Sequence, residues 1–207
     1  MSKDGRLVRA QNIYDDVHKK LVNSAIQLFN SPDVLNESIN ISLIAKNAGT
    51  SVATAYNHFP NNLIDVFGSI FNIGFQKIVD SVTEFNKNNQ DPYDQLQAFI
   101  MIQTDTLIEL GNAVREAFYQ FREILNSGKW IQGEPYLFLM SICDDYVKKN
   151  SDIDGNSLAN DIFVFWNGYV YLWMRYNPNF EIWSKFTDEW LVQEMTKIVD
   201  KALSLQQ

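Results

Sequence analysis

The chain has 207 residues, 46% hydrophobic and 20% charged, with 9 Gly, 5 Pro and a formal net charge of -8, a composition that excludes disorder and collagen-like structure. No apolar run reaches the roughly 20 residues that a bilayer span needs, and the charged N-terminus lacks the apolar core of a signal peptide, so a cytoplasmic protein is expected. The lone Cys143 excludes an internal disulfide and a multi-thiolate zinc site.

Almost every long segment repeats its apolar residues with helical period, and none shows the sustained alternation of a strand, which predicts an all-α fold. Val17, Leu21, Ala25 and Phe29 recur every fourth residue behind the possible caps Asn12 and Asp15 and mark a first helix ending at Asn30-Ser31-Pro32. Asn40 then caps a short helix through Ala48, where Gly49 supplies a left-handed terminus. Ser51 caps a second short helix, Val52 to Phe59, stopped by Pro60. A long helix starts after Asn61-Asn62, with Leu63, Phe67, Ile70, Phe71, Gly74, Ile78, Val82 and Phe85 on one face. Asp91-Pro92 opens the next, through Leu110. Further helices are expected over 112–125, 135–150, 157–176 and 187–205, divided by turns that contain Gly or Pro.

Common enzyme signatures are missing. The chain has neither a GxxxxGK[ST] phosphate loop nor a GxGxxG dinucleotide turn. Its two histidines, His18 and His58, lie far along the chain from Cys143, and no HExxH occurs. Asp15 and His18 have ligand spacing on one helix face but stand alone, so neither a metal, a cofactor nor a catalytic residue is expected. Charge is uneven: residues 1–62 carry +1, and the remaining residues carry -9. One end can therefore approach a polyanion while the bulk repels it.

The stretch Asn40–Asn62, NISLIAKNAGTSVATAYNHFPNN, has the layout of a helix-turn-helix, whose second helix enters the DNA major groove. With Ile44, Ala45, Ala48, Gly49, Ser51, Thr54, Tyr56, His58 and Phe59 in register, it resembles the TetR family of bacterial transcriptional regulators. The resemblance is specific over residues 12–75 and architectural beyond. It implies an N-terminal DNA-binding domain over residues 1–61 and a helical ligand-binding and dimerisation domain over 62–207.

The resemblance places Ser51, Val52, Ala53, Thr54, Tyr56, Asn57, His58 and Asn62 at the DNA. Thr54, Tyr56 and His58 are expected at phosphate oxygens. Asn57 is suited to adenine, and Val52 and Ala53 to thymine methyl groups. Ala45, Ala48, Ala55 and Phe59 are structural. The family carries a lysine where this chain has Asn62, which removes one phosphate contact and lowers the salt dependence of binding. Lys3, Arg6 and Arg9 form a basic arm that can reach phosphates or a minor groove.

In the remainder, the aromatic-rich composition suits a small, largely apolar or aromatic ligand. The candidate lining is Phe71, Phe75, Phe99, Gln103, Phe118, Arg122, Tyr136, Met140 and Trp166, with Arg122 and Asp105 as polar anchors. The candidate homodimer interface is Phe165, Tyr169, Trp173, Trp190, Leu191, Met195 and Ile198. The expected function is sequence-specific binding to a near-palindromic double-stranded operator, with repression relieved by the ligand. The alternative is a helical protein-interaction module of the same fold with weak or lost DNA binding, motivated by the acidic charge and by Asn62.

Overall fold

In the computed structural model, which describes residues 5–34, 36–126, 134–149 and 153–206, every extended element is helical. Helix α1 (Gly5–Phe29) buries only its second half, through Leu21, Val22, Ser24, Ala25, Leu28 and Phe29. Its start is earlier than the apolar stripe predicts. Asn12 and Asp15 are exposed positions inside the helix, not caps. An exposed turn needs helix propensity but no apolar residue, and Arg6, Leu7, Arg9, Ala10 and Gln11 supply it.

The next two helices obey local rules closely. In α2 (Ile41–Asn47) the Asn40 side chain accepts the Leu43 N–H at 3.0 Å, satisfying an amide that the helix itself leaves orphaned. At the other end Thr50 N–H bonds the Ala45 carbonyl and Gly49 N–H bonds that of Lys46. This pair of bonds needs a left-handed residue between helix and turn, and Gly49 takes φ 67°. Ser51 caps α3 (Val52–His58) by accepting the Thr54 N–H at 3.0 Å. Ser24 ties α1 to α2: its hydroxyl donates to the Ile44 carbonyl and accepts from the Asn47 amide, both at 3.0 Å. A single 3₁₀ turn, Asn36–Ser38, precedes α2.

The remaining helices are α4 (Leu63–Asn88), α5 (Pro92–Tyr119), α6 (Phe121–Asn126), α7 (Glu134–Lys149), α8 (Gly155–Met174), α9 (Glu181–Ser184), α10 (Asp188–Met195) and α11 (Ile198–Ser204). Several differ from the expected spans: the segment expected as one helix over 112–125 is divided at Gln120 between the end of α5 and α6. The segment expected as one helix from Thr187 is broken at Thr196-Lys197 into α10 and α11, and the four-residue α9 carries too short a pattern to be read from sequence. The break expected between Leu110 and Asn112 is present as non-helical backbone at Gly111 inside α5.

These helices pack as two units. The first, residues 5–73 and 110–126, holds α1, α2, α3 and α6 with parts of α4 and α5. Its interior contains Leu21, Val22, Ala25, Ile44, Ala45, Ala55, Phe59, Val66, Ile70, Ala113 and Ile124, all at most 1% exposed. The second, residues 74–109 and 134–206, is organised on α8, which packs against α7, α10 and α11. Leu158, Ala159, Ile162, Trp173, Leu191, Met195 and Ile198 are fully buried there. The fold is thus all-α, an N-terminal helix-turn-helix unit followed by a larger helical part.

Candidate functional site

The residues of α3 and its C-cap Phe59 divide between two faces, with Thr54 half-buried between them. Ala55, His58 and Phe59, at helical spacings of three and four, turn inward and are at most 7% exposed. Val52, Ala53, Tyr56 and Asn57 form the opposite, exposed face. Val52 and Tyr56 are 42% and 45% exposed although large and apolar, so their burial is not what holds the helix in place. Position is fixed by the cap at Ser51, the glycine turn before it and Phe59 beneath. Ser51 is exposed and accepts the Thr54 N–H through one lone pair, and its Oγ lies 2.7 Å from Thr54 Oγ1. The expected contacts at Ser51, Val52, Ala53, Thr54, Tyr56 and Asn57 therefore lie together on or beside one exposed face. Asn62 is exposed and adopts φ 57°, a left-handed conformation that asparagine tolerates better than most residues. Asn61 N–H donates to Asp65 Oδ2 at 2.8 Å, which satisfies an amide at the α4 start.

His58 is placed otherwise than expected. It is 7% exposed, its ring stacks on Tyr14 of α1 with centroids 4.0 Å apart, and His18 and Phe59 lie at 5.5 and 6.3 Å. It faces the interior because its position lies three residues beyond Ala55 on the buried stripe. Its Nδ1 is buried without a hydrogen-bond partner among the described residues. Burial disfavours the charged imidazolium and pushes its pKa below the ordinary 6.5. The unfolded chain then binds a proton before the folded one does. Stability contributed by neutral His58 is full above pH 6.5 and is lost as the pH falls through the lower folded value. Urea unfolding measured from pH 7.5 to 5 is expected to show this loss. In a His58→Phe variant the fall in stability below pH 6.5 is expected to flatten, and an unchanged slope would reassign the effect to other groups.

Of the expected basic arm, Arg6 and Arg9 stand on the exposed first turns of α1, and Lys3 lies outside the described residues. The arm is thus helical where described.

The ligand candidates fall in both units. In the first, Phe71 meets Phe118 edge-on at 5.0 Å and Phe121 at 5.7 Å. Arg122 of α6 is exposed, as is Asp105 of α5, so neither is an anchor inside a cavity. Their positions face away from the apolar stripes of their helices. In the second unit Phe75, Phe99 and Gln103 are buried at 9%, 2% and 7% exposure, and Phe99 packs on Phe138. Tyr136, which donates to Asn160 Oδ1 at 2.6 Å, is half-buried, as are Met140 and Trp166. Trp166 Nε1 is buried with no partner among the described residues. A surface groove on α4 is lined by Asp80, Ser81, Glu84, Phe85, Asn88 and Asn89, none of them a candidate. Cys143 is buried, which pushes its thiol up to about 12 and leaves it inert at neutral pH.

Four of the expected interface residues are interior instead. Trp173, Leu191, Met195 and Ile198 are 0% exposed, and α10 and α11 pack against α8. Phe165, Tyr169 and Trp190 are half-buried, with Tyr169 against Trp190 edge-on at 5.9 Å. The open face of α8 carries Phe163 at 42%, Val164 at 66% and Tyr171 at 50% exposure, with Asn167 and Gly168 between them. Phe163 and Tyr171 were among the apolar residues in excess in the sequence, but the i, i+1, i+4, i+5, i+8 spacing that puts them with Val164, Asn167 and Gly168 on one face was not used.

No family model and no curated protein matches this sequence. Among solved structures the chain is similar to a protein assigned to the TetR-family transcriptional regulators from Syntrophomonas wolfei str. Goettingen. That match has 13% identity and a TM-score of 0.66, and covers 93% of this chain and 95% of the other. A second protein with the same assignment, from Mesorhizobium loti MAFF303099, matches at 18% identity and TM-score 0.62, covering 93% and 97%. The TetR family transcriptional regulator PfmR from Thermus thermophilus matches at 15% identity and TM-score 0.59, covering 87% and 97%. At these identities the likeness is one of fold.

Proposed function

We propose, from the fold shared with TetR-family transcriptional regulators, that this protein is a homodimeric, sequence-specific DNA-binding regulator, a cytoplasmic repressor released from its operator by a small ligand. The observation that carries the reading is the exposed face of α3, held out by a capped turn and by residues buried on the other side. Residues 1–61 take the DNA-binding role in this reading, and 62–207 the ligand and dimer roles. Asn57 reads adenine, Val52 and Ala53 meet thymine methyl groups, and Thr54, Tyr56 and Asn62 donate to phosphates. Arg9 on the exposed start of α1 adds charge to a side of the molecule that is otherwise nearly neutral. His58 supports α3 from within.

One recognition helix covers too little DNA for a specific site, so two copies are required. The α8 face of Phe163, Val164 and Tyr171 is the apolar surface suited to join them. The ligand is small and largely apolar or aromatic. Buried Phe99 and Gln103, and Trp166 Nε1, which has no partner among the described residues, support a site for it in the second unit.

Selection of bound duplexes from a random pool at about 0.1 M salt tests the reading. The expected product is a near-palindromic site whose half-sites lie about 34 Å apart. If repeated ligand-free selections enriched no sequence, the chain would be reassigned to protein interaction, in keeping with its charge of -8.

A further inference from the structure

The break in α5 leaves a helix without a cap of its own. Gly111 has φ 57° and ψ -129°, so residues 112–119 begin a new helix, and a helix start leaves amides, as a helix end leaves carbonyls, without intrahelical partners. The residue in the cap position is glycine and has no side chain to offer. Asn30, just past the end of α1, meets both needs: its Oδ1 accepts the Ala113 N–H at 3.3 Å and its Nδ2 donates to the Leu110 carbonyl at 3.1 Å. Glycine at 111 is favoured by its positive φ, and a Cβ there would lie 2.8 Å from Asn30 Oδ1, so the amide would have to shift out of its place. A second stitch runs beside it, where Asn36 Nδ2 donates to Glu116 Oε1 at 2.8 Å.

We infer that Asn30 is a positioning residue that caps the second half of α5 from another helix and makes residues 112–119 one cooperative body with the α1–α3 unit. The inference goes beyond the proposed function and stands without it, since neither hydrogen bond involves DNA or ligand.

Amide hydrogen exchange of the full-length protein, free of DNA, reads this coupling. In the native chain the buried amides of Leu21 to Phe29 and those of Val114 to Ala117 are expected to share one opening. In Asn30→Ala the amides of Ala113 to Ala117 are expected to exchange roughly fivefold to thirtyfold faster, the effect of a lost cap, while those of α1 to α3 keep their rates. Gly111→Ala is expected to produce the same split, and the double variant less than the product of the two effects. Where Asn30→Ala fails to fold, Asn30→Asp serves: it keeps the acceptor for Ala113, loses the donor to Leu110 and is expected to split the two groups by a smaller factor. Unchanged exchange at residues 113–117, or a uniform acceleration throughout the chain, would overturn the inference.

Discussion

Replacing Trp173 by alanine is expected to remove about 3–5 kcal/mol of stability, against a total of about 5–15 kcal/mol for a domain of ordinary size. Trp173 is fully buried in the second unit, and its indole N–H donates to Asp188 Oδ1 at 2.7 Å. Truncation therefore removes both an aromatic core and a hydrogen bond to a carboxylate. A Val164→Glu/Tyr171→Glu variant is expected to do the opposite. Both residues are at least half exposed, so the folded monomer loses less than about 0.5 kcal/mol, while two buried carboxylates per copy would break an apolar interface. Urea unfolding and sedimentation separate the two effects. If Trp173→Ala stayed as stable as the native chain and only dissociated, the interface would lie at Trp173 after all. If the α8 variant still self-associated, the open face of α8 would not be the contact.

The contrast between these two sites also marks where sequence reasoning stopped. Asn40, Gly49 and Ser51 act on backbone groups within five residues, so their roles were legible from the residues alone, and the helix-turn-helix came out as expected. Residues 163–173 are apolar almost throughout, and nothing local distinguishes Trp173 from Tyr171. Which of them is buried is decided by α10 and α11, elements remote in sequence. The burial of His58 was hidden for the same reason. It stands in register with a motif that resembles a DNA contact, yet its surroundings come from Tyr14 and His18 on α1. The start of α1 was missed differently, because an exposed helical turn and a polar tail share a composition. Gly111 was legible as a break, but the partner that caps it, Asn30, looked only like the end of α1.

At the recognition helix, a Thr54→Ala/Tyr56→Ala variant is expected to bind the selected operator about 10²–10⁴-fold more weakly than the native protein, at roughly 1.5 kcal/mol for each hydrogen bond to a phosphate, repeated in the second copy and not fully additive. The fold is expected to survive. Tyr56 is 45% exposed, and the cap of α3 uses the backbone N–H of Thr54, not its hydroxyl. Salt titration adds a second, independent reading of the same variant. Neither side chain carries charge, so the dependence of log K on log salt keeps its slope while the whole line drops. Arg9→Ala is expected to behave in the reverse way, with a slope reduced by about one for each phosphate cation lost and a smaller loss at high salt. Fluorescence anisotropy on one labelled duplex from about 50 to 200 mM salt measures both. A double variant that binds as tightly as the native chain, with native thermal unfolding, would remove α3 from the DNA. A slope that falls in the double variant would mean that its loss comes from a disturbed basic surface and not from the two hydroxyls.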